Sequence, residues 1–400
     1  MTSRATRART GTPGTGTDRH GGCPGAVTRD SSGLWLLTRE ADVRSALADP
    51  RLTVDQSHAG DGHRAFTLPD ALSAHLQNRD GAEHARLRRL AAGSFSARRT
   101  QVLRGQVQAT ADLFADRLAD RLTAHTPVDL VAEYALPLPL TVVADLLGVP
   151  ADQRPQLTAW TAAMLNPTQP SHLPDAIEHV HHLILDLIET RRTRPTHNLL
   201  STWVTACDQG ECLSGDELVA LAFQMWWAGV ENVTHAISHG TLLLLRRPHL
   251  AHLLRSRPQT MPGLVEEILR HTLPTLSVRR FAREDLRIAG TRIRAGEAVQ
   301  LALGEARHDT ADFPDRDGAP AVRQANPHLA FGHGAHHCLG AALARLELQA
   351  AFTSLLTRIP GLTLAVAEDA LRWRTSARRH GLTELPVSSS SVPKPSMSSS

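Results

Sequence analysis

The chain has 400 residues, a formal net charge of +3 and an isoelectric point near 8.9, long enough for several average domains or for one large fold. Hydrophobic residues make up 42%, charged residues 21% and aromatics 4%, the composition of a soluble globular protein whose core falls to Leu, Val and Ala. Basic runs such as Arg86, Arg88 and Arg89 lack aromatic interleaving and any recognition-helix or finger signature, which argues against nucleic acid, and no uninterrupted apolar run of about 18 residues is present to cross a membrane.

Residues 1–25 are rich in Gly, Thr and Arg without periodicity and are expected to be disordered; they contain no apolar core of a signal peptide. The cysteines Cys23, Cys207, Cys212 and Cys338 form no CxxC pair, so a cytoplasmic protein is expected. One folded body is expected over 26–387, followed by a disordered Ser-rich tail over 388–400. A short strand is predicted around Leu34 to Thr38. Leu103, Val107, Ala111, Phe114, Leu118 and Leu122 recur at helical spacing behind a cap at Ser96. Ser214 and Glu217 open a capping box, and the helix they start is compatible with continuation to the stop at Pro248. That helix is apolar on nearly every face yet carries Gly229, Glu231 and Asn232 at its middle, and buried polar groups there need partners or a function. Further strands alternate through LRIAGTRIRAGEAVQLAL, with turns at Gly290 and at Ala295–Gly296. The fold class is mainly α with small β-sheets, without internal repeats.

The densest chemistry is FGHGAHHCLG, Phe331 to Gly340. Zinc is one reading, since His333, His336, His337 and Cys338 are all ligand types, but structural sites usually draw two ligands from each of two separated segments. A nucleophilic thiol is another, but it needs a base and an orienting partner that the sequence does not identify. A third is haem iron. The sequence LGAALARLELQAAFTSLL after Cys338 is strongly helical, and a sulfur at a helix N-terminus is favoured as thiolate. Gly332, Gly334 and Gly340 permit tight turns and close approach to a flat macrocycle.

FGHGAHHCLG resembles the haem-binding signature of the cytochrome P450 superfamily, Phe-Gly-x-Gly-x-His/Arg-x-Cys-x-Gly, with every defined position filled. Glu267 and Arg270 in LVEEILRH look like that family's Glu-x-x-Arg pair, GAEHARLRRL resembles its third-helix pattern, and VRRFARED places Arg280 at its strand arginine. The match runs from WLLTREADVRSALADPRL through NPHLAF to GLTELPV, in the manner of the soluble bacterial members. The resemblance implies a cytochrome P450 fold with haem b between the long central helix and the helix after the Cys loop. It implies Cys338 as axial ligand, Phe331 packed near the sulfur, Gly340 closing the loop, and His84, Arg88, Arg280 and His336 neutralising the propionates.

AGVEN, Ala228 to Asn232, resembles the family's Ala-Gly-x-Asp/Glu-Thr, with Asn232 at the alcohol position. There a carboxylate and a hydroxyl relay the protons that dioxygen cleavage consumes, so Glu231 and Asn232 are the implied catalytic pair, with altered proton delivery expected from Asn232. Thr234 cannot stand in, because two residues along a helix is a rotation of about 200°. Ala228 and Gly229 are expected to leave room over the iron, and Met225 and Ala236 to share that face. Leu276 and Val278, with the loops around Ala65–Leu76 and Met164–Leu173, are expected to contact substrate by analogy.

The implied activity is a monooxygenase that inserts one oxygen atom from dioxygen into a small hydrophobic metabolite, in secondary-metabolite tailoring. Its implied electron donors are a ferredoxin and ferredoxin reductase, with Arg345 a contact, and it is expected to be a monomer. Oxidative coupling, cyclisation or desaturation is the second reading, and a non-catalytic haem sensor a remote third.

Overall fold

The computed structural model describes residues 27–30, 33–60, 68–122, 126–167, 169, 171–209, 213–306, 328–374 and 381–389. The expected disordered N-terminus, Cys23, Cys212 and part of the Ala65–Leu76 and Met164–Leu173 segments lie outside these residues.

The helices among them are α1 (Glu40–Ala48), α2 (Asp70–Ser73), α3 (Gly81–Ala92), α4 (Ala97–Val102), α5 (Arg104–Leu122), α6 (Pro137–Leu147), α7 (Arg154–Leu165), α8 (His172–Thr193), α9 (Leu199–Asp208), α10 (Gly215–Arg246), α11 (Pro248–Ser256), α12 (Met261–Thr272), α13 (Leu303–Ala306) and α14 (Ala341–Arg358). The strands are β1 (Val27–Arg29), β2 (Trp35–Leu37), β3 (Leu52–Thr53), β4 (Val128–Asp129), β5 (Ser277–Ala282), β6 (Leu286–Ile288), β7 (Thr291–Ile293), β8 (Ala298–Ala302), β9 (Leu362–Leu364) and β10 (Pro386–Ser389). They form a sheet in the order β1-β2-β8-β5-β3, a second in the order β4-β10-β9, and the hairpin β6-β7. The fold is thus mainly α with small sheets. Ser388 and Ser389, assigned by sequence to the tail, pair in β10 with Thr363 and Leu362, so the ordered body runs two residues past the expected boundary at 387.

Helix α10 begins as its sequence dictates. The Ser214 hydroxyl accepts from the Glu217 N–H at 3.2 Å, and the Glu217 carboxylate accepts from the Ser214 N–H at 2.9 Å. The helix runs 32 residues, about 48 Å at ~1.5 Å each, and ends where Arg247 leaves the helical conformation ahead of Pro248. No helix among the described residues is long and apolar enough to cross a membrane.

The periodic segment after Ser96 is interrupted. The Ser96 hydroxyl caps α4, and the chain turns at Leu103 before α5 begins at Arg104, although the apolar spacing continues across the break.

Helix α10 passes close to α12 and α14 at Gly240. A Cβ there would lie 2.4 Å from Cζ of Phe352 and 2.9 Å from Cγ2 of Ile268, and both side chains are fully buried. Close-packed interiors do not absorb such an overlap. Gly240→Ala should therefore destabilise the protein by about 1–3 kcal/mol even though alanine favours helix, read as a lowered denaturant midpoint. An unchanged midpoint would mean that Phe352 can move.

Candidate active site

The loop before α14 is closed by short-range bonds. The Cys338 N–H donates to the Phe331 carbonyl at 2.8 Å, and the His337 N–H to the Gly334 carbonyl at 3.1 Å. Gly334 takes φ +72°, and a Cβ on it would stand 2.8 Å from the Leu47 carbonyl oxygen, so the loop can lie against the end of α1 only as glycine. Cys338 is a free thiol, open to solvent but set among enough protein for burial to push its pKa up. Against that push act the Gly340 N–H, which bonds the sulfur, and the charges of Arg88 and Arg345. The Arg88 guanidinium also donates to the His337 carbonyl at 2.7 Å, tying α3 to the loop.

Phe331 is buried under this loop, with the Arg345 guanidinium 4.4 Å above its ring centroid. Arg345 makes a two-point contact with Glu266 at 2.7 and 2.9 Å, and Glu266 also meets His328 at 3.1 Å. Burial would raise the Glu266 carboxyl, but these bonds outweigh it and bring it to about 2. The expectation that Arg345 offers its charge to an electron donor is therefore corrected: the charge is matched within the protein.

One of the expected cations, His336, meets Asp80, a carboxylate that the sequence reading overlooked. His336 lies 2.8 Å from its carboxylate, Thr53 donates at 2.5 Å, the Val54 N–H donates at 2.8 Å, and Arg283 stands 3.8 Å away. Burial works to raise the Asp80 carboxyl, and the bonds from His336, Thr53 and Val54 carry it well below the carboxylate range. His336 thus faces a carboxylate of the protein itself. The His84 ring lies against His336, tilted by 42° with ring centroids 4.3 Å apart. Its Nε2 is buried and has no hydrogen-bond partner among the described residues. Burial first, then the charges of His336 and Arg88, hold His84 down to about 4, and burial likewise lowers Arg280, opposed by Asp80. An orphaned buried nitrogen near the buried Arg280 and the half-buried Arg88 fits a ligand that brings acidic groups of its own, which is what a haem with two propionates would present beside the Cys338 sulfur. Among the described residues no group of three or more His, Cys, Asp or Glu side chains is arranged to hold a metal ion, so the zinc reading gains nothing.

The polar residues at the centre of α10 have distant partners. The buried Glu231 carboxylate accepts from Arg374 at 3.0 Å, and the same Arg374 nitrogen is 3.2 Å from His235 Nε2. His235 stacks on His239, and His239 lies beside Trp373 at 5.2 Å. Asn232 Oδ1 accepts from the Thr275 hydroxyl at 3.1 Å. Thr234 is fully buried, and its hydroxyl has no hydrogen-bond partner among the described residues, in keeping with its being turned off the Asn232 face.

Two expectations on α10 need correcting. Gly229 is small for a packing reason, since a Cβ would sit 2.8 Å from Cγ2 of Val143 on α6. Met225 and Ala236 share the helical face of half-buried Ala228 and Asn232, but both are buried in apolar clusters, as helical spacing sets direction and the neighbours decide exposure. Leu276 and Val278 are half-buried; Val278 packs on the core beneath the large sheet, and the Leu276 carbonyl accepts from Gly304 at 2.9 Å.

Glu267 and Arg270 form the expected pair, fully buried, with Arg270 donating to one Glu267 oxygen at 2.7 and 3.2 Å. Asp80 and Glu266 stand next to quoted motifs and were findable as buried carboxylates needing cations. Nothing local marks Thr275 or Arg374.

A mainly α fold with a long buried helix, a glycine-turned cysteine loop and a buried Glu-x-x-Arg pair defines a haem-thiolate protein. The chain belongs to the cytochrome P450 family, whose family model matches residues 151–359. It is 41% identical over 357 residues to the mycinamicin IV hydroxylase/epoxidase of Micromonospora griseorubida, covering 88% of this chain and 89% of that protein. It is 38% identical to the vitamin D(3) 25-hydroxylase of Pseudonocardia autotrophica, covering 88% of this chain and 87% of that one. Among solved structures it is similar to the bacillaene polyketide synthase cytochrome P450 PksS of Bacillus subtilis, with TM-score 0.81 and 33% identity over 92% of this chain and 94% of that one. The protein is accordingly a monooxygenase with haem b as cofactor, a small-molecule substrate and redox partners.

Proposed function

We propose that the protein hydroxylates or epoxidises a hydrophobic secondary metabolite of the polyketide class, with Cys338 as the haem ligand and Glu231 and Asn232 handling protons. The observation that carries the site assignment is that His336 pairs with Asp80, with His84 against His336 and Arg280 under the influence of Asp80, while Arg88 is bonded to the Cys338 loop at His337. In this reading those side chains hold the propionates, Gly340 and Phe331 shape the loop that presents the sulfur, and the Glu267–Arg270 pair fixes the helix behind it. The haem, once bound, supplies the one-electron and dioxygen chemistry that side chains cannot. Glu231 accepts a hydrogen bond from Arg374, and Asn232 offers both a donor and an acceptor where the family has a hydroxyl. The polyketide class is supported by relatives whose names attach them to mycinamicin IV and to polyketide biosynthesis.

The electron donor in this reading is a ferredoxin with its reductase, and the enzyme acts as a cytoplasmic monomer. The free Cys207, and the need for Cys338 to stay unpaired, suit a reducing compartment.

Labelled dioxygen tests the reaction class. With a macrolide lactone that shifts the haem spin state, the product should carry one labelled oxygen atom; a dehydrogenated or coupled product without label would replace oxygen insertion by the second reading.

A further inference from the structure

Inserting one oxygen atom into a substrate C–H bond and releasing the other as water consumes two protons, with two electrons from the reduced donor. The helix lacks the family's hydroxyl where those protons are handled, since position 232 is asparagine. We infer that Thr275, acting through Asn232, is the hydroxyl this chain uses, a positioning residue brought in from outside the helix; the inference rests on the monooxygenase reading above.

Three observations converge on it. The Thr275 hydroxyl donates to Asn232 Oδ1 at 3.1 Å, so the amide oxygen faces Thr275 and the N–H2 end is turned the other way. Thr275 sits between two anchors. On one side Leu273, fully buried, takes φ 28° and ψ 84° ahead of Pro274. A non-glycine residue holds such a conformation only where its surroundings enforce it. On the other side the Leu276 carbonyl is held by the Gly304 N–H at 2.9 Å. Both Thr275 and Asn232 are half-buried, whereas Thr234, the nearest alternative hydroxyl on α10, is fully buried and turned away. While donating to Asn232, the Thr275 hydroxyl orients the amide so that its N–H2 end can hold a water or a substrate hydroxyl, and that bound group supplies the proton in place of a hydroxyl on the helix.

The test compares Thr275→Val and Thr275→Ser in the native holoenzyme and in Asn232→Thr, with a macrolide lactone as substrate and hydrogen peroxide released per NADH as the readout of lost coupling. Thr275→Val should raise peroxide release about threefold to tenfold, the span of one lost neutral hydrogen bond, with KM unchanged within about twofold. Thr275→Ser should restore coupling. In Asn232→Thr, where the helix carries its own hydroxyl, Thr275→Val should add nothing. A second readout needs no turnover: in thermal unfolding, Thr275→Val and Asn232→Ala should be non-additive, the double variant losing no more than the larger single loss. The inference is overturned if Thr275→Val uncouples equally in both backgrounds, if serine fails to restore coupling, or if the unfolding losses add. Absence of product from the native enzyme would count instead against the monooxygenase reading, and the unfolding cycle would still decide whether the pair exists.

Discussion

Cys338→His should abolish the strongly red-shifted Soret band of the reduced, carbon monoxide-bound protein, and turnover should fall by more than the roughly 10–100-fold typical of losing an outer partner of a metal ligand. The expected loss is larger because the substitution changes the ligand itself. The loop is built around a sulfur: the Cys338 N–H is committed to Phe331, the Gly340 N–H bonds the sulfur, and Arg88 and Arg345 favour its charged form against burial. A histidine would meet the same N–H and the same cations with a neutral ring, and these features stabilise an anion. The measurement is the visible spectrum of both proteins after dithionite and carbon monoxide, with bound haem quantified separately. A wild-type protein that binds haem yet lacks the red-shifted band would remove Cys338 as ligand.

The parts of this site legible in sequence are those whose signal is local. The capping box fixes the start of α10 and Pro248 its end, and the Cys loop announces itself because its glycines, cysteine and following helix are contiguous. Glu267 and Arg270, three residues apart, were paired through the family's Glu-x-x-Arg pattern together with the cysteine loop. What was missed is non-local. Arg374 reaches Glu231 from 143 positions away, and Asp80 meets His336 across 256, so no periodicity links them. Val143 behind Gly229 is equally distant from any local pattern, which is why a packing glycine reads like one that makes space for a ligand. The break at Leu103 escaped for the opposite reason: apolar spacing persists through it, and periodicity reports which face is buried but is blind to a single turn that leaves that face in register.

Arg270→Ala should cost about 3–5 kcal/mol of folding stability, a large fraction of the ~5–15 kcal/mol that holds a typical domain together, and should sharply reduce the yield of haem-containing protein. The reason is the partner left behind. Glu267 is 1% exposed and takes two hydrogen bonds from Arg270 on one oxygen, so removing the guanidinium strands a buried carboxylate. Arg270→Lys should recover only part of the loss, because an ammonium is a point donor and cannot offer the fork that reaches Glu267 while also meeting His271 at 2.9 Å. The decisive comparison is with Glu267→Leu/Arg270→Met. If the singles suffer from an uncompensated charge, the double variant should unfold at a higher denaturant concentration than Arg270→Ala, despite carrying more changes. If it unfolds lower, the pair stabilises through its own attraction, and the ion pair is worth more than the apolar packing that could replace it.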